Sequence, residues 1–345
     1  MRAKKFRFPD RIRKSRKAQA ETQFNWIFVL IVGALIIAFF AFIVVKQRSA
    51  SEAKFSGKIS QQLNTILVSA KVSSGTVQEI PTPEISIRFT CNDYYIGPAS
   101  QRLGSRVVFA PEYVEGNSII TWTLDWNVPY KVTSFLYITS PLVKYVVVGD
   151  GRAAEKIYDA LPDKLTKQTV LMSNYITLSD EGDRHVRFIF VDQTAPSFDI
   201  PIGLDGVDVS GLKVNTGERS VQFLVQSETG LITSGQVYRY IEDEILYGAI
   251  FADKPDEYDC LVKRAYSRLN IVSSVYYEKL NEMAPMFDAT NCEGFYRRNS
   301  DINSLVTATD DYPLDVADYT AIGNAKSDLR DTNTRLQLQS CPLIY

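Results

Sequence analysis

The sequence predicts an α/β protein: a mixed-sheet ectodomain with covering helices and a C-terminal helical subdomain, preceded by one transmembrane helix. Three observations carry this expectation. Twenty-two residues from Phe24 to Val45 contain no charge. From Glu84 onward, short segments alternate apolar and polar residues or are continuously apolar, with Gly, Pro and Asp turns between them, which is the pattern of strands. Beyond residue 256 the apolar spacing changes to that of helices. With 345 residues, 45% hydrophobic and 12% aromatic, the chain can bury a substantial core, which excludes a disordered protein.

The first element is a basic tail. Residues 1–17 carry nine Lys or Arg and one acid, Asp10, so the remaining residues sum to −10 against a whole-chain charge of −2. Phe6, Phe8 and Ile12 are interleaved with these cations, a texture that suits anionic lipid; no nucleic-acid partner is expected, because nothing else in the chain supports one.

The uncharged run follows. As a helix it reaches about 33 Å, enough for a hydrocarbon core of about 30 Å. Its only polar side chains, Asn25 and Trp26, sit in the first turn, so a membrane anchor from Phe24 through Trp26 to Val45 is expected. Nine cations precede the span, whereas Lys46, Arg48, Lys54 and Lys58 follow it closely. The N-terminus is therefore expected in the cytoplasm and the large C-terminal part outside.

Lys17-Ala18-Gln19, then Gln23-Phe24 and the apolar run, resembles the class III signal segment of archaeal pilins and flagellins. The resemblance covers about 35 residues, and the segment through Lys46-Gln47 also looks like the anchor of uncharacterised archaeal single-pass membrane proteins. It implies a peptidase cut between Ala18 and Gln19. The family usually has Glu at the fifth mature position; here Gln23 stands there, and Glu21 lies two positions earlier. An uncleaved signal anchor is the reading taken, with processing before Gln19 as the alternative.

Next, Phe55, Ile59, Leu63 and Leu67 recur every four residues, with Ile66 adjoining, as a narrow apolar stripe on a helix. It would either mediate self-association, as a stalk, or dock on the ectodomain. Ser73-Ser74-Gly75, Pro81 and Pro83 are expected to end it.

The strands expected are "EISIRFTC", "RVVFA", "SIITWTLDW", "SFLYIT", "YVVVG", "HVRFIFVD" and "SVQFLV". In the third, Ile120, Trp122, Leu124 and Trp126 share one face, which marks both tryptophans as core. Helices are expected over 152–161, about 256–283, near 301–306 and over about 314–339, with Pro313 and Asp315 in the first turn of the last. Ile322, Leu329 and Leu336 form a seam suited to packing on the long helix. The organisation is thus a basic tail over 1–23, a transmembrane helix over 24–45, a helical stalk over 46–72, a mixed α/β ectodomain over 84–255 and a C-terminal helical subdomain over 256–345.

Chemistry-bearing motifs are few. Gly149, Gly151 and Ala154 have the G-x-G-x-x-A spacing of a dinucleotide-binding turn, between a valine-rich strand and a helix. The acid required about 20 residues on is missing: the expected next strand, "TVLMSN", ends in Ser173-Asn174, and Asp180 and Glu181 follow in a loop. An ordinary strand-to-helix turn is expected instead, with Asp150 as N-cap or first-turn acid, and no cofactor.

The single histidine, His185, excludes a multi-histidine metal site and is expected to be solvated. No G-x-S-x-G, P-loop or HExxH pattern occurs. Asp310, Asp311, Asp315 and Asp318 lack EF-hand spacing and read as helix N-terminal acids, so no catalytic or metal site is assigned.

Four cysteines, without C-x-x-C, suit an oxidising compartment and allow three connectivities. If the long helix runs up from Cys260, a short helix leads down after Cys292 and the last helix returns to Cys341, then Cys292 meets Cys341. Cys91 is then left for Cys260. Four buried free thiols are the alternative.

These features lead to a membrane-anchored cell-envelope protein with an interaction or structural role. Its expected partners are the bilayer and other envelope proteins, or a second copy through the anchor and stalk helix. A pilin-like subunit, and an ectoenzyme or small-molecule binder, are the alternatives.

Overall fold

A computed structural model describes residues 15–69, 74–179, 182–228 and 230–345, with only part of the side chains in the first helix. The chain divides between Lys58 and Ile59 into two units.

The first unit is helical. Helix α1 (Ser15–Ser69) contains the uncharged run, and every apolar side chain described from Trp26 to Val45 is exposed. An α-helix satisfies its own backbone hydrogen bonds, so this segment is a possible membrane span. The side chains of Ala18, Gln19 and Phe24 lie outside the described residues.

The second unit starts with the last turns of α1. Ile59 and Leu63 are buried against Ile87, Phe89, Tyr94 and Ile138. Tyr94 Oη donates to the Ser60 carbonyl at 2.9 Å, which fixes the helix rotation. The stripe thus docks on its own sheet at these two positions; the side chains of Phe55, Ile66 and Leu67 lie outside the described residues.

That sheet, A, contains β1 (Val77–Phe89), β2 (Asp93–Ile96), β3 (Ala99–Arg102), β4 (Val107–Phe109), β5 (Tyr113–Asn127) and β6 (Lys131–Thr139), in the order β3-β2-β1-β5-β6-β4. Only the β4–β6 pair is parallel among the described residues. Pro81 and Pro83 do not precede the first strand, as the sequence suggested, but lie within it. β5 pairs with Val77–Pro81, the register shifts between Pro81 and Ile85, and β2 reaches only Ile87–Phe89. The prolines therefore sit at a bulge on a half-free strand, where a missing N–H is tolerated.

Sheet B holds β7 (Val143–Val148), β8 (Thr166–Val170), β9 (His185–Val191), β10 (Ser197–Phe198), β11 (Asp208–Asn215), β12 (Ser220–Ser227) and β13 (Gly230–Thr233), with β14 (Tyr238–Arg239) pairing β12. The order is β10-β13-β12-β11-β9-β7-β8, and the β8-β7-β9-β11 portion is parallel. Burial of both faces explains the continuous valines of β7: Tyr145 and Val147 face one core, Val146 and Val148 another. The second strand of this portion ends at Val170, earlier than "TVLMSN" implied. Its polar start is stable because Lys167 Nζ donates to the carbonyls of Tyr158 and Leu161 at the end of α2 (Arg152–Ala160).

Three further helices follow the expected spacing, α4 (Pro255–Met286), α6 (Ser300–Ala308) and α7 (Val316–Leu338), and the single turn α5 (Glu293–Tyr296) lies between the first two without having been expected. Pro313 precedes α7 rather than entering it; Asp315 is its N-cap and exchanges hydrogen bonds of 2.8 Å with Asp318 in a capping box. Ile322, Leu329 and Leu336 are buried, but the helix lying closest to α7 is α6, which in turn rests on α4.

The sequence pattern missed α3 (Asp243–Phe251), in which Ile245 through Phe251 are all buried. A helix enclosed on every side carries no amphipathic period. Around it, a single core joins Trp122 and Tyr137 of sheet A, Val147 and Ile189 of sheet B, and Leu269, Leu305 and Leu329 of the C-terminal helices. Residues 256–345 thus extend the core of the sheets. Disulfides join Cys91 to Cys260 and Cys292 to Cys341, tying the β1–β2 turn to α4 and the start of α5 to the segment after α7.

Candidate functional site

The carboxyl ends of β7 and β9 form the switch point of sheet B, since β8 lies on one side of β7 and β9 on the other. Gly149 closes β7 there. A Cβ on it would lie 3.0 Å from Ala154 Cβ and 3.3 Å from the Val191 carbonyl oxygen, whereas one on Gly151 would meet nothing within 4 Å. The Gly149–Ala154 spacing therefore serves close packing of α2 on the sheet. Asp150 is not the cap: Gly151 takes the N-cap position, and the Asp150 carboxylate accepts from the Met172 N–H at 3.0 Å. Asp192, at the end of β9, accepts from Thr216 N–H and Oγ1, both at 2.8 Å. The polar groups at this crevice are thus engaged with the protein's own loops.

His185 stands at the start of a strand, as expected, but is not solvated. It opens β9, and its side chain is 14% exposed. In the parallel register it stands beside Asp208 of β11, with Arg187 beside Ser210. His185 Nδ1 lies 2.8 Å from Asp208 Oδ2, and Nε2 lies 2.9 Å from Ser210 Oγ. The hydrogen bond from His185 holds the Asp208 carboxyl below its ordinary range, with smaller help from the charges of His185 and Lys254. Beneath this row, buried Arg187 donates to the carbonyls of Gly211, Ala249 and Ala252 at 3.1, 2.9 and 2.7 Å. Burial pushes its guanidinium down to about 10, so it remains charged at neutral pH.

Carboxylate, imidazole and hydroxyl in a row have the connectivity that activates a serine nucleophile. Here the exposures run in the opposite sense. Asp208 is 72% exposed, whereas Ser210 is half-buried within the sheet. An orienting acid lies behind its histidine and the nucleophile faces substrate, so this row is better suited to clamping β9 to β11. Its accessible end, Asp208 with the edge of His185, borders a cavity of about 550 Å³ shared with Glu115, Asp183, Arg184 and Asp205.

Asp208 and Ser210 escaped the sequence reading because β11 did. Gly211 interrupts its apolar run, and it is needed there: a Cβ would lie 2.8 Å from Leu224 Cδ1. Among the described residues, no group of three or more His, Cys, Asp or Glu is placed to hold a metal ion. No known protein family, curated protein or solved structure matches the chain.

Within α1, Phe28–Gln47 is long and apolar enough to cross a membrane, and none of it is buried. It is the largest exposed apolar surface described.

Proposed function

We propose that the protein is a single-pass membrane-anchored component of a cell envelope, with its N-terminus in the cytoplasm and its α/β domain outside in an interaction or structural role. The observation that carries this reading is the apolar segment Phe28–Gln47, whose described side chains are unburied. The basic tail supports the orientation, and two disulfides suit an oxidising exterior. Its partners are the bilayer and other envelope proteins.

A pilin-like subunit is the second reading, because the end of α1 lays Ile59 and Leu63 into a sheet, as a long first helix does when it carries a globular head. Intact mass and N-terminal sequencing of protein from native membranes separate the two. A chain beginning at Gln19 supports the pilin-like reading; one retaining the basic tail and resisting carbonate extraction supports the anchor. Release by carbonate would overturn the anchored reading.

A further inference from the structure

A cavity among the described residues lies at the free edge of sheet A. It is a groove of about 920 Å³ around β3, bordered by Tyr95, Ser100, Gln101, Arg102, Arg106 and Asn64 at the end of α1. Its lining is polar, which excludes a hydrocarbon ligand as the main occupant.

Two arginines and one acid line it, so its side-chain charge is net positive. Arg102 is exposed on β3; Arg106 Nη1 donates to Asn64 Oδ1 at 3.2 Å. Arg264 braces the wall, donating to the Arg106 carbonyl at 2.8 Å and to Asn92 Oδ1 at 2.7 Å, and Arg88 stacks over the Tyr95 ring at 4.8 Å. Among the described residues, none of these four arginines forms a salt bridge. The one acid in the lining, Asp93, stands opposite Arg102 in the β2–β3 register.

A cationic groove in a region of net −10 is a local inversion of the protein's field. Guanidinium groups present planar pairs of donors that match oxyanions, and the neutral donors Ser100, Gln101 and Asn64 add directions that a tetrahedral anion with several acceptor oxygens can use.

We propose that this groove binds a phosphate-bearing ligand, with Arg102 and Arg106 as its cationic contacts. The volume exceeds that of inorganic phosphate, so the phosphate is carried on a larger polar body. A lipid headgroup and a soluble sugar phosphate share that chemistry.

The test uses the full chain in phosphate-free maltoside micelles at low salt, where surface charge is least screened. Calorimetric titration compares two soluble probes: glycerol phosphate, a monoester, and dibutyryl phosphatidylglycerol, a headgroup diester. Saturable binding of either supports the proposal. Preference for the monoester identifies a soluble phosphate as the ligand, and preference for the diester a lipid headgroup. Arg102→Gln, at an exposed edge, is expected to weaken binding roughly tenfold, about the loss of one charge-assisted hydrogen bond. Asp93→Asn is expected to tighten it. The proposal is overturned if neither probe binds at millimolar concentration, or if Arg102→Gln, folded as judged by an unchanged melting curve, binds as the wild type does.

Discussion

Cys292 and Cys341, 49 residues apart in the chain, are joined with their Cα atoms 5.9 Å apart, so α5, α6 and α7 form one closed loop. The loop holds α6 between α7 and α4, and its apolar side chains Ile302 and Leu305 in the common core. Replacing both cysteines by serine is expected to lower stability by about 4 kcal/mol in the chain-entropy model, and removal of the Cys91–Cys260 pair, which closes a longer loop, by about 5 kcal/mol. Denaturant midpoints of the two double variants check this. Midpoints equal to the wild type would mean that the loops do not constrain the unfolded chain.

Leu63 tests whether the end of α1 belongs to the folded unit. It is 2% exposed and packs with Phe89, Tyr94 and Ile96. Leu63→Ala is expected to destabilise residues 59–345 by about 2–4 kcal/mol through lost burial and the remaining cavity. A thermal melt that does not move would show that the helix detaches without loss.

The two glycines of the β7–α2 turn separate packing from cofactor binding. Gly149→Ala pushes a methyl against Ala154 and the Val191 carbonyl, and is expected to cost about 1–3 kcal/mol. Gly151→Ala has open space and extended backbone at φ −134°, so its melting temperature should be close to that of wild type. A nicotinamide dinucleotide that bound the wild type, and was lost in Gly151→Ala, would reverse this assignment.

Asp208 gives a pH signature. Because the bond from His185 depresses its folded-state proton affinity, the unfolded chain takes up this proton first as pH falls. Its stabilising contribution is whole above the ordinary carboxylate value of about 4 and disappears as pH drops through the lower folded value. Asp208→Asn should therefore flatten the stability profile below about pH 4, relative to wild type, in urea titrations. Parallel profiles would rule out the His185–Asp208 coupling.

The parts of this fold that can be read locally are those with a period. Trp122 and Trp126 declare their core face through alternation along β5, and Ile322, Leu329 and Leu336 declare theirs along α7. Elements without a period escape: α3 because all its sides are apolar, and β11 because Gly211 breaks the run; β8 was expected too late in the chain, because its polar start uses Lys167 to satisfy the end of a helix. The candidate site was the least legible. Asp208 and Ser210 lie 23 and 25 residues from His185, and only the parallel register brings them together.

By itself, the sequence determined an uncharged helix long enough for a bilayer, amphipathic strands and helices, and an even set of cysteines, since each depends on residue chemistry over a few turns or on a simple count. Only the tertiary structure decided that Ile59 and Leu63 meet sheet A, that His185 has an acid and a hydroxyl as neighbours, and that Arg102 and Arg106 line one sheet edge with Arg264 bonded to the Arg106 carbonyl. These are contacts between segments distant in the chain. They are set by which strands pair and in what register, and the global burial of both sheets, not any local pattern, selects that arrangement.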